Sequence, residues 1–291
     1  MSLLSVTFID VGWGDSILIE SEDDQGNIRY ALIDCNDTTK SRSSYLFIKR
    51  FFERQQYQPA NGRFFDFILL SHGHADHGSG IQAIMRDFPT DWFWYPKSVE
   101  LGSFAKILRY ANRYQQKVNR HQAIDLTKNL GTLGNVQLSA LWPPNSGNQA
   151  HDANNENNNS VVLQLTLDDV SFILTGDCEA ENWPQIVNNI PAGNQRVALF
   201  QSPHHGAVNG LFDQANNTPW LDSVENLPHV PVIVMSSHIR PHHHPASQVT
   251  NELDNRNINY LRTDIHYHVT IRTDGTIQNG TPNMRTEYTH A

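Results

Sequence analysis

Cysteine is nearly absent from this chain: Cys35 and Cys178 are the two in 291 residues. That excludes a secreted disulfide scaffold. Each cysteine instead follows an aspartate, Asp34 and Asp177, and reads as a small buried residue beside a site. Long apolar runs are lacking as well. Nothing approaches the roughly 18 consecutive apolar residues of a membrane-spanning helix. Met1-Ser2-Leu3-Leu4 lead straight into a strand-like segment, with no basic leader region or cleavage site. The expectation is a soluble, cytoplasmic protein with no membrane partner. Positive charge is also scarce, 21 Lys and Arg against 30 Asp and Glu, for a net charge of −9 with the 15 histidines neutral. This excludes a surface coated in positive potential, but not a local basic strip. Hydrophobic residues make up 38% of the chain, enough for a substantial core. We read residues 1–278 as one domain and 279–291 as a polar tail expected to fray.

Against these absences, one segment is dense in chemistry. Ser71-His72-Gly73-His74-Ala75-Asp76-His77-Gly78 follows the apolar run Phe67-Ile68-Leu69-Leu70. In an extended stretch, His72 and His74 can turn to one ion, and Asp76 and His77 in the following turn can face a second. Mixed imidazole and carboxylate donors suit zinc, manganese or iron rather than calcium or magnesium. Two such ions about 3.5–4 Å apart form a clamp for displacement at a phosphoryl or carbonyl centre. A His-rich surface loop would lack this order and the Gly78-Ser79-Gly80 turn into a helix.

Periodicity places the motif in an α/β framework. Residues 5–9, 16–20 and 30–33 read as an opening meander of strands, 44–55 and 80–88 as helices, and 65–70 as the buried strand feeding the metal loop. A long amphipathic helix is expected over 98–120, a strand over 136–142 closed by Pro143-Pro144, and an Asn-rich loop over 145–159. In the second half, 160–167 and 171–174 read as a hairpin across Asp168-Asp169. Three strands end in polar tips: Thr175-Gly176-Asp177, Pro203-His204-His205-Gly206 and Ser236-Ser237-His238. The carboxyl ends of strands are where α/β sheets build sites. Residues 246–255 read as a helix, 258–263 and 267–272 as a strand pair, and no sequence repeat is evident.

The chain resembles the metallo-β-lactamase fold, and within it the lactamase-like, ComEC-type domain of DNA-uptake competence proteins, here without the membrane channel. The resemblance rests on Phe8-Ile9-Asp10-Val11-Gly12-Trp13-Gly14-Asp15-Ser16, Leu32-Ile33-Asp34-Cys35, the H-x-H-x-D-H segment, Asn159-Ser160-Val161-Val162-Leu163, Leu174-Thr175-Gly176-Asp177, Pro203-His204-His205-Gly206, His244-Pro245 and Leu261-Arg262-Thr263-Asp264. It covers residues 5–275 and implies a four-layer αββα sandwich.

It further implies a dinuclear site for two divalent ions, zinc or manganese. His72 and His74 would hold the first ion, Asp76 and His77 the second, and Asp177 would bridge. One of His204 and His205, with His205 preferred, would complete the second ion while the other faces the substrate. Asp34 would orient a ligand, and His244, one of three imidazoles in Pro241-His242-His243-His244-Pro245, would serve the scissile phosphate or the leaving group. Asp76, His244, Asp34 and His204 form the expected catalytic set. Two departures stand out. Asn157-Asn158-Asn159-Ser160 occupies the place where most such hydrolases carry a third histidine for the first ion, a place His151 could fill from the preceding loop. Trp13 stands where the group usually has glutamine.

The function these residues imply is a metal-dependent phosphodiesterase, a nuclease acting on DNA. Competing readings are a small-molecule or choline-type phosphodiesterase caged by Trp13, Trp92 and Trp94, an acyl hydrolase, and a non-catalytic subunit among partner proteins of a defence or DNA-uptake system. Fold alone does not choose among them. On a helical wheel of residues 98–120, Lys106, Arg109, Arg113, Lys117 and Arg120 fall within an arc of about 80°. No acidic residue lies between Glu100 and Asp125 to pair with that row, which makes it the expected nucleic-acid track; an ordinary solvated face is the alternative.

Overall fold

The computed structural model describes residues 3–289 except 39, 146, 148 and 191–195. The first half supplies β1 (Leu4–Phe8), β2 (Ile17–Glu22), β3 (Ile28–Ile33), β4 (Phe65–Leu69), β5 (Thr90–Tyr95) and β6 (Val118–Ala123). The second supplies β7 (Asn129–Leu133), β8 (Val136–Trp142), β9 (Val162–Leu167), β10 (Val170–Leu174), β11 (Arg196–Gln201), β12 (Val232–Met235) and β13 (Tyr260–Arg262), before the chain returns with β14 (His268–Gln278) and β15 (Thr281–Thr289). One sheet has eight strands in the order β15-β14-β1-β2-β3-β4-β5-β6, and the other has seven in the order β13-β12-β11-β10-β9-β8-β7. Both follow one plan. β1, β2 and β3 pair antiparallel and β4, β5 and β6 then add in parallel, while β8, β9 and β10 followed by β11, β12 and β13 do the same.

Two-residue alternation explains the layering. Ile17 and Ile19 of β2, Phe67 and Leu69 of β4, and Phe172 and Leu174 of β10 point between the sheets. Their neighbours Leu18 and Ile68 point outward to Ile48 and Phe52 of α1 (Ser43–Gln55) and, beyond the short α2 (Ala75–Gly78), to Ile84 of α3 (Ile81–Asp87) and Ile107 of α4 (Ala105–Arg113). Ile173 faces the other way, toward Trp183 and Ile186 of α5 (Trp183–Ile186). That outer layer continues through α6 (Val208–Leu211), α7 (Pro219–Glu225) with buried Trp220, and α8 (Ser247–Asn255) with buried Val249 and Leu253. The result is the αββα sandwich that the sequence implied. Within the described residues, no helix is long and apolar enough to cross a membrane.

Four sequence-based expectations need correction. The helix expected over 98–120 is only α4; the chain leaves it at Tyr114 (φ −121°, ψ 63°), and residues 118–123 pair in parallel with β5 as an edge strand. Arg63 holds that exit by donating to the carbonyls of Gln115 and Gln116. Tertiary strand pairing here overrides a helical apolar pattern. Residues 258–263 and 267–272 are not a pair: β13 joins β12 in one sheet, and β14 joins β1 in the other. Between them lie α9 (Thr263–His266) and Tyr267, whose φ of +62° turns the chain from sheet to sheet. The polar tail does not fray through residue 289, because β15 pairs antiparallel with β14. Asn279 and Gly280 both have positive φ, +51° and +82°, the geometry an Asn-Gly hairpin turn adopts. Finally, β5, β6 and β7 form strands that periodicity did not reveal.

Candidate metal centre

Every element of the site sits at the carboxyl end of a strand. The chain leaves β4 at Leu70, whose N–H donates to the Trp94 carbonyl of the neighbouring β5 (2.9 Å), and enters the loop carrying His72, His74, Asp76 and His77. Asp177 follows β10, and its N–H donates to Ser160 Oγ (3.1 Å). His204 and His205 follow β11 in consecutive left-handed conformations, φ +50° and +56°. Such backbone is costly for non-glycine residues and persists only where the surroundings over-determine it. Here the His204 N–H donates to the Gly176 carbonyl (3.1 Å).

Asp177 is the hub. Its Oδ2 lies 3.2 Å from His77 Nε2 and 3.7 Å from the Nε2 atoms of both His72 and His204, and its Oδ1 lies 3.4 Å from His205 Nε2. Asp76 Oδ2 completes one donor set, 3.6 Å from His205 Nε2 and 3.8 Å from His77 Nε2. His72 Nε2 is 3.0 Å from His74 Nδ1, and with Asp177 these two form a second donor set. The geometry separates the two histidines that spacing left open. His205 is buried among the donors, whereas the His204 side chain remains 20% exposed.

Outer groups aim these rings. Asp34, fully buried at φ +57°, accepts from the Ser71 N–H (2.7 Å), Ser71 Oγ (2.6 Å) and His77 Nδ1 (2.7 Å), which leaves His77 Nε2 directed at Asp177. His205 Nδ1 donates to the Ser236 carbonyl (2.9 Å), so its Nε2 also faces inward. Glu156, from the Asn-rich loop, accepts from the Gly73 N–H and from Ser98 Oγ, both at 2.7 Å, and from Asn159 Nδ2 (3.1 Å). It therefore grips the backbone between His72 and His74. A side chain at Gly73 would meet Glu156 Oε1 at 2.7 Å.

Sequence reasoning assigned no role to Asp15 or Glu156. Asp15 is buried and joins the cluster of His77, Asp177 and His205. Its oxygens approach the Nδ1 edges of His77 (3.8 Å) and His205 (3.9 Å), whose protons are already taken by Asp34 and the Ser236 carbonyl. Gln201 Nε2 donates to it (2.8 Å), and its own N–H donates to the Asp76 carbonyl (3.1 Å). The available signal was its flanking by Gly14, where φ is +104° and a Cβ would collide with that carbonyl.

The electrostatics call for cations. Burial opposes charge on His77 and His205, yet the carboxylates outweigh it: Asp177, Asp34 and Asp76 raise His77 well above the usual histidine range, and Asp177, Asp15 and Asp76 push His205 up to about 9. Burial alone would raise Asp177, but His205, His77 and His204 hold it well below the usual carboxylate range. Burial, with His77 and His74 beside it, drives His72 well below its ordinary value. Asp15 Oδ1, His77 Nε2, Asp177 Oδ1 and His205 Nε2 are buried without a hydrogen-bond partner. Buried polar atoms in that state cost roughly 1–3 kcal/mol each unless something binds them. Imidazole and carboxylate donors so arranged fit divalent transition-metal ions.

Other expected residues lie elsewhere. His151 packs against the Trp142 ring (4.7 Å) rather than joining the donors, and Asn159 is engaged with Asp152 and Glu156. The three tryptophans of the choline-cage reading do not converge: Trp94 stacks on Phe67 in the core (4.2 Å), Trp92 lies beneath the Arg120 guanidinium (5.2 Å), and Trp13 stands beside His242 (4.8 Å). The basic row is divided as well. Lys106, Arg109 and Arg113 are exposed on α4, Lys117 lies in the turn beyond it, and Arg120 belongs to β6. Phe104, at the start of α4, packs on Gly78 of the metal loop. His244 sits over the cluster, with ring centres 5.8 Å from His204 and 6.5 Å from His205. Burial, and then His205, His204 and His242, lower its pKa to about 4. Cys35 and Cys178 are buried free thiols outside the donor groups.

No family model matches the chain. It is 24% identical over 272 residues to ComE operon protein 3 of Bacillus subtilis (strain 168), across 89% of this chain and 32% of that protein. It is 27% identical over 140 residues to the uncharacterized protein YcaI of Escherichia coli (strain K12), across 48% of this chain and 15% of that one. The chain thus spans about a third of the first relative's length and less of the second's. Among solved structures it is similar to Tm1679, a metal-dependent hydrolase of the β-lactamase superfamily (TM-score 0.49, 12% identity, 90% of this chain and 96% of that one). It is also similar to a long form RNase Z from yeast (TM-score 0.45, 13% identity, 81% and 37%) and to the metallo-β-lactamase MIM-1 from Novosphingobium pentaromativorans (TM-score 0.39, 15% identity, 73% and 83%). The solved structures it is similar to are metallo-β-lactamase superfamily members, and the sequence relative of greatest coverage given above is ComE operon protein 3.

Proposed function

We propose that this chain is a metal-dependent phosphodiesterase acting on nucleic acid, with DNA as its substrate. Two divalent ions, zinc or manganese, would be held by His72, His74 and Asp177 on one side and by Asp76, His77, His205 and Asp177 on the other. The observation that carries the reading is Asp177, one buried carboxylate within 3.2–3.7 Å of imidazole nitrogens from His72, His77, His204 and His205. When bound, such ions neutralise phosphoryl oxygens and acidify the attacking water.

The chain's own groups would do the rest. Asp34 and the Ser236 carbonyl fix the ring orientations of His77 and His205. His244, its pKa lowered to about 4 by burial and by His205, His204 and His242, carries one N–H and offers it as a hydrogen bond to the departing oxygen or to a non-bridging oxygen as charge builds there. His204, partly exposed, offers its ring to the same phosphate. Support for a phosphodiester over an acyl substrate comes from the ComEC-type motifs and from His242 and His244, whose ring N–H groups beside the cluster can donate to phosphate oxygens. Lys106, Arg109 and Arg113, exposed on α4, would form a shorter cationic track than the five residues expected from the sequence.

The test is metal analysis of the purified protein with a screen on a phosphate diester, a thioester, a lactone and a β-lactam. The reading expects two transition-metal ions per chain and hydrolysis of the diester. Turnover of an acyl substrate without the diester would replace it. Reversing Lys106, Arg109 and Arg113 to Glu should weaken DNA cleavage and flatten its salt dependence. Unchanged cleavage at low and physiological salt would make that face an ordinary solvated one.

A further inference from the structure

A row of flat rings runs outward from the buried cluster. His205 and His244 are 6.5 Å apart at 27°, His244 and His242 are 5.9 Å apart at 25°, and His242 and Trp13 are 4.8 Å apart at 52°. Imidazoles thus line the path nearest the donors, where a phosphate must sit, and an indole stands at the outer end. Trp13 is anchored to the metal loop through its backbone: the Asn36 side-chain amide donates to its carbonyl, and Gly14 beside it abuts the Asp76 carbonyl. Its side chain is half-buried, and among the described residues its indole N–H has no hydrogen-bond partner. A partly exposed aromatic ring beside the site, outside the three hydrophobic clusters, offers a face to another flat ring.

We infer that Trp13 and His242 form a base-stacking subsite for the nucleotide next to the scissile phosphate. This rests on reading the cluster as a phosphodiesterase centre, and it gives that centre's substrate a nucleobase. A quaternary ammonium group fits poorly, because such cages surround the cation with aromatic faces. Trp92 and Trp94 are directed elsewhere, and the ring facing Trp13 is an imidazole that can itself carry positive charge. Stacking tolerates any base, since every base offers a π face.

The experiment compares two esters with one leaving group, thymidine 5′-(p-nitrophenyl) phosphate and methyl p-nitrophenyl phosphate, on the metal-loaded protein. The wild type should prefer the nucleoside ester. In Trp13→Ala the ratio of kcat/KM between the two should fall roughly five- to hundredfold, with Trp13→Phe restoring most of it. Fluorescence anisotropy of a labelled oligothymidylate on metal-stripped protein should show the same order of affinities. Equal losses on both esters, or an unchanged ratio, overturn the stacking subsite and leave the phosphodiesterase reading intact. If the wild type hydrolyses neither ester, the phosphodiesterase reading fails. The subsite, which is defined by the scissile phosphate beside it, then fails with that reading, whatever the anisotropy shows.

Discussion

Replacing Asp34 by Asn changes few atoms and should cost a metal ion. The Asp34 carboxylate accepts three hydrogen bonds, from the Ser71 N–H and Ser71 Oγ and from His77 Nδ1. An amide has one acceptor oxygen. If that oxygen faces His77, the new NH2 points at the Ser71 N–H, donor against donor. If it faces Ser71, the NH2 donates to His77 Nδ1 and drives the ring proton to Nε2, the nitrogen aimed at Asp177. Both orientations penalise the donor set of Asp76, His77, His205 and Asp177. A charge-assisted hydrogen bond is worth about 1.5–3 kcal/mol, which matches the roughly 10–100-fold loss of affinity typical when such an orienting carboxylate is changed. We predict that loss for one ion and near-normal binding of the other. The assay is competition between metal-stripped protein and a chromogenic chelator, with circular dichroism to show a retained fold. Two ions bound at wild-type affinity would refute the argument that Asp34 sets the His77 tautomer.

Asp177→Asn should reduce affinity for both ions, because both donor sets share that carboxylate; elemental analysis of the folded mutant checks this, and full occupancy would remove Asp177 from the site. Glu156→Ala should loosen the Gly73 backbone and weaken the His72/His74 ion by about tenfold, as one partly buried N–H loses its acceptor. Glu156→Gln, which keeps an acceptor, should restore most of that affinity in the same titration. Metal-stripped protein should lose stability as pH rises. His205 has a folded pKa of about 9, above its unfolded value of about 6.5, so its contribution is complete below about 6.5 and gone above about 9. Thermal melts across that window should show the decline in stripped protein and not in metal-loaded protein, where the ring is a ligand. His244→Ala should slow a diester with a poor leaving group more than one with an activated aryl leaving group; equal losses would assign His244 to phosphate binding or loop support.

How far the sequence could be read depended on the range of the interaction. The H-x-H-x-D-H segment, the alternating strands and the His or Asp tips after β10 and β11 are contiguous, so their spacing displays them directly. The Asn279-Gly280 turn was equally local and signals a hairpin, yet composition alone led to the expectation of a frayed tail. Residues 98–120 failed for the opposite reason. Their apolar residues suit a helix, but β5 offered residues 118–123 a parallel edge that no local pattern records.

By itself, the sequence displayed the inventory of donors and many of the alternating strands, because alternation decides which face of a strand is buried; the layer order came with the resemblance to the metallo-β-lactamase fold. The tertiary structure alone decided how the donors are used. His205 lies deeper among the donors than His204, and the Ser236 carbonyl, 31 residues away, orients its ring. Asp15 enters the cluster because Gln201, 186 residues away, donates to its carboxylate from the other sheet. Glu156 grips the metal loop from 83 residues away. Such contacts depend on angles and distances between elements, to which a sequence pattern is blind.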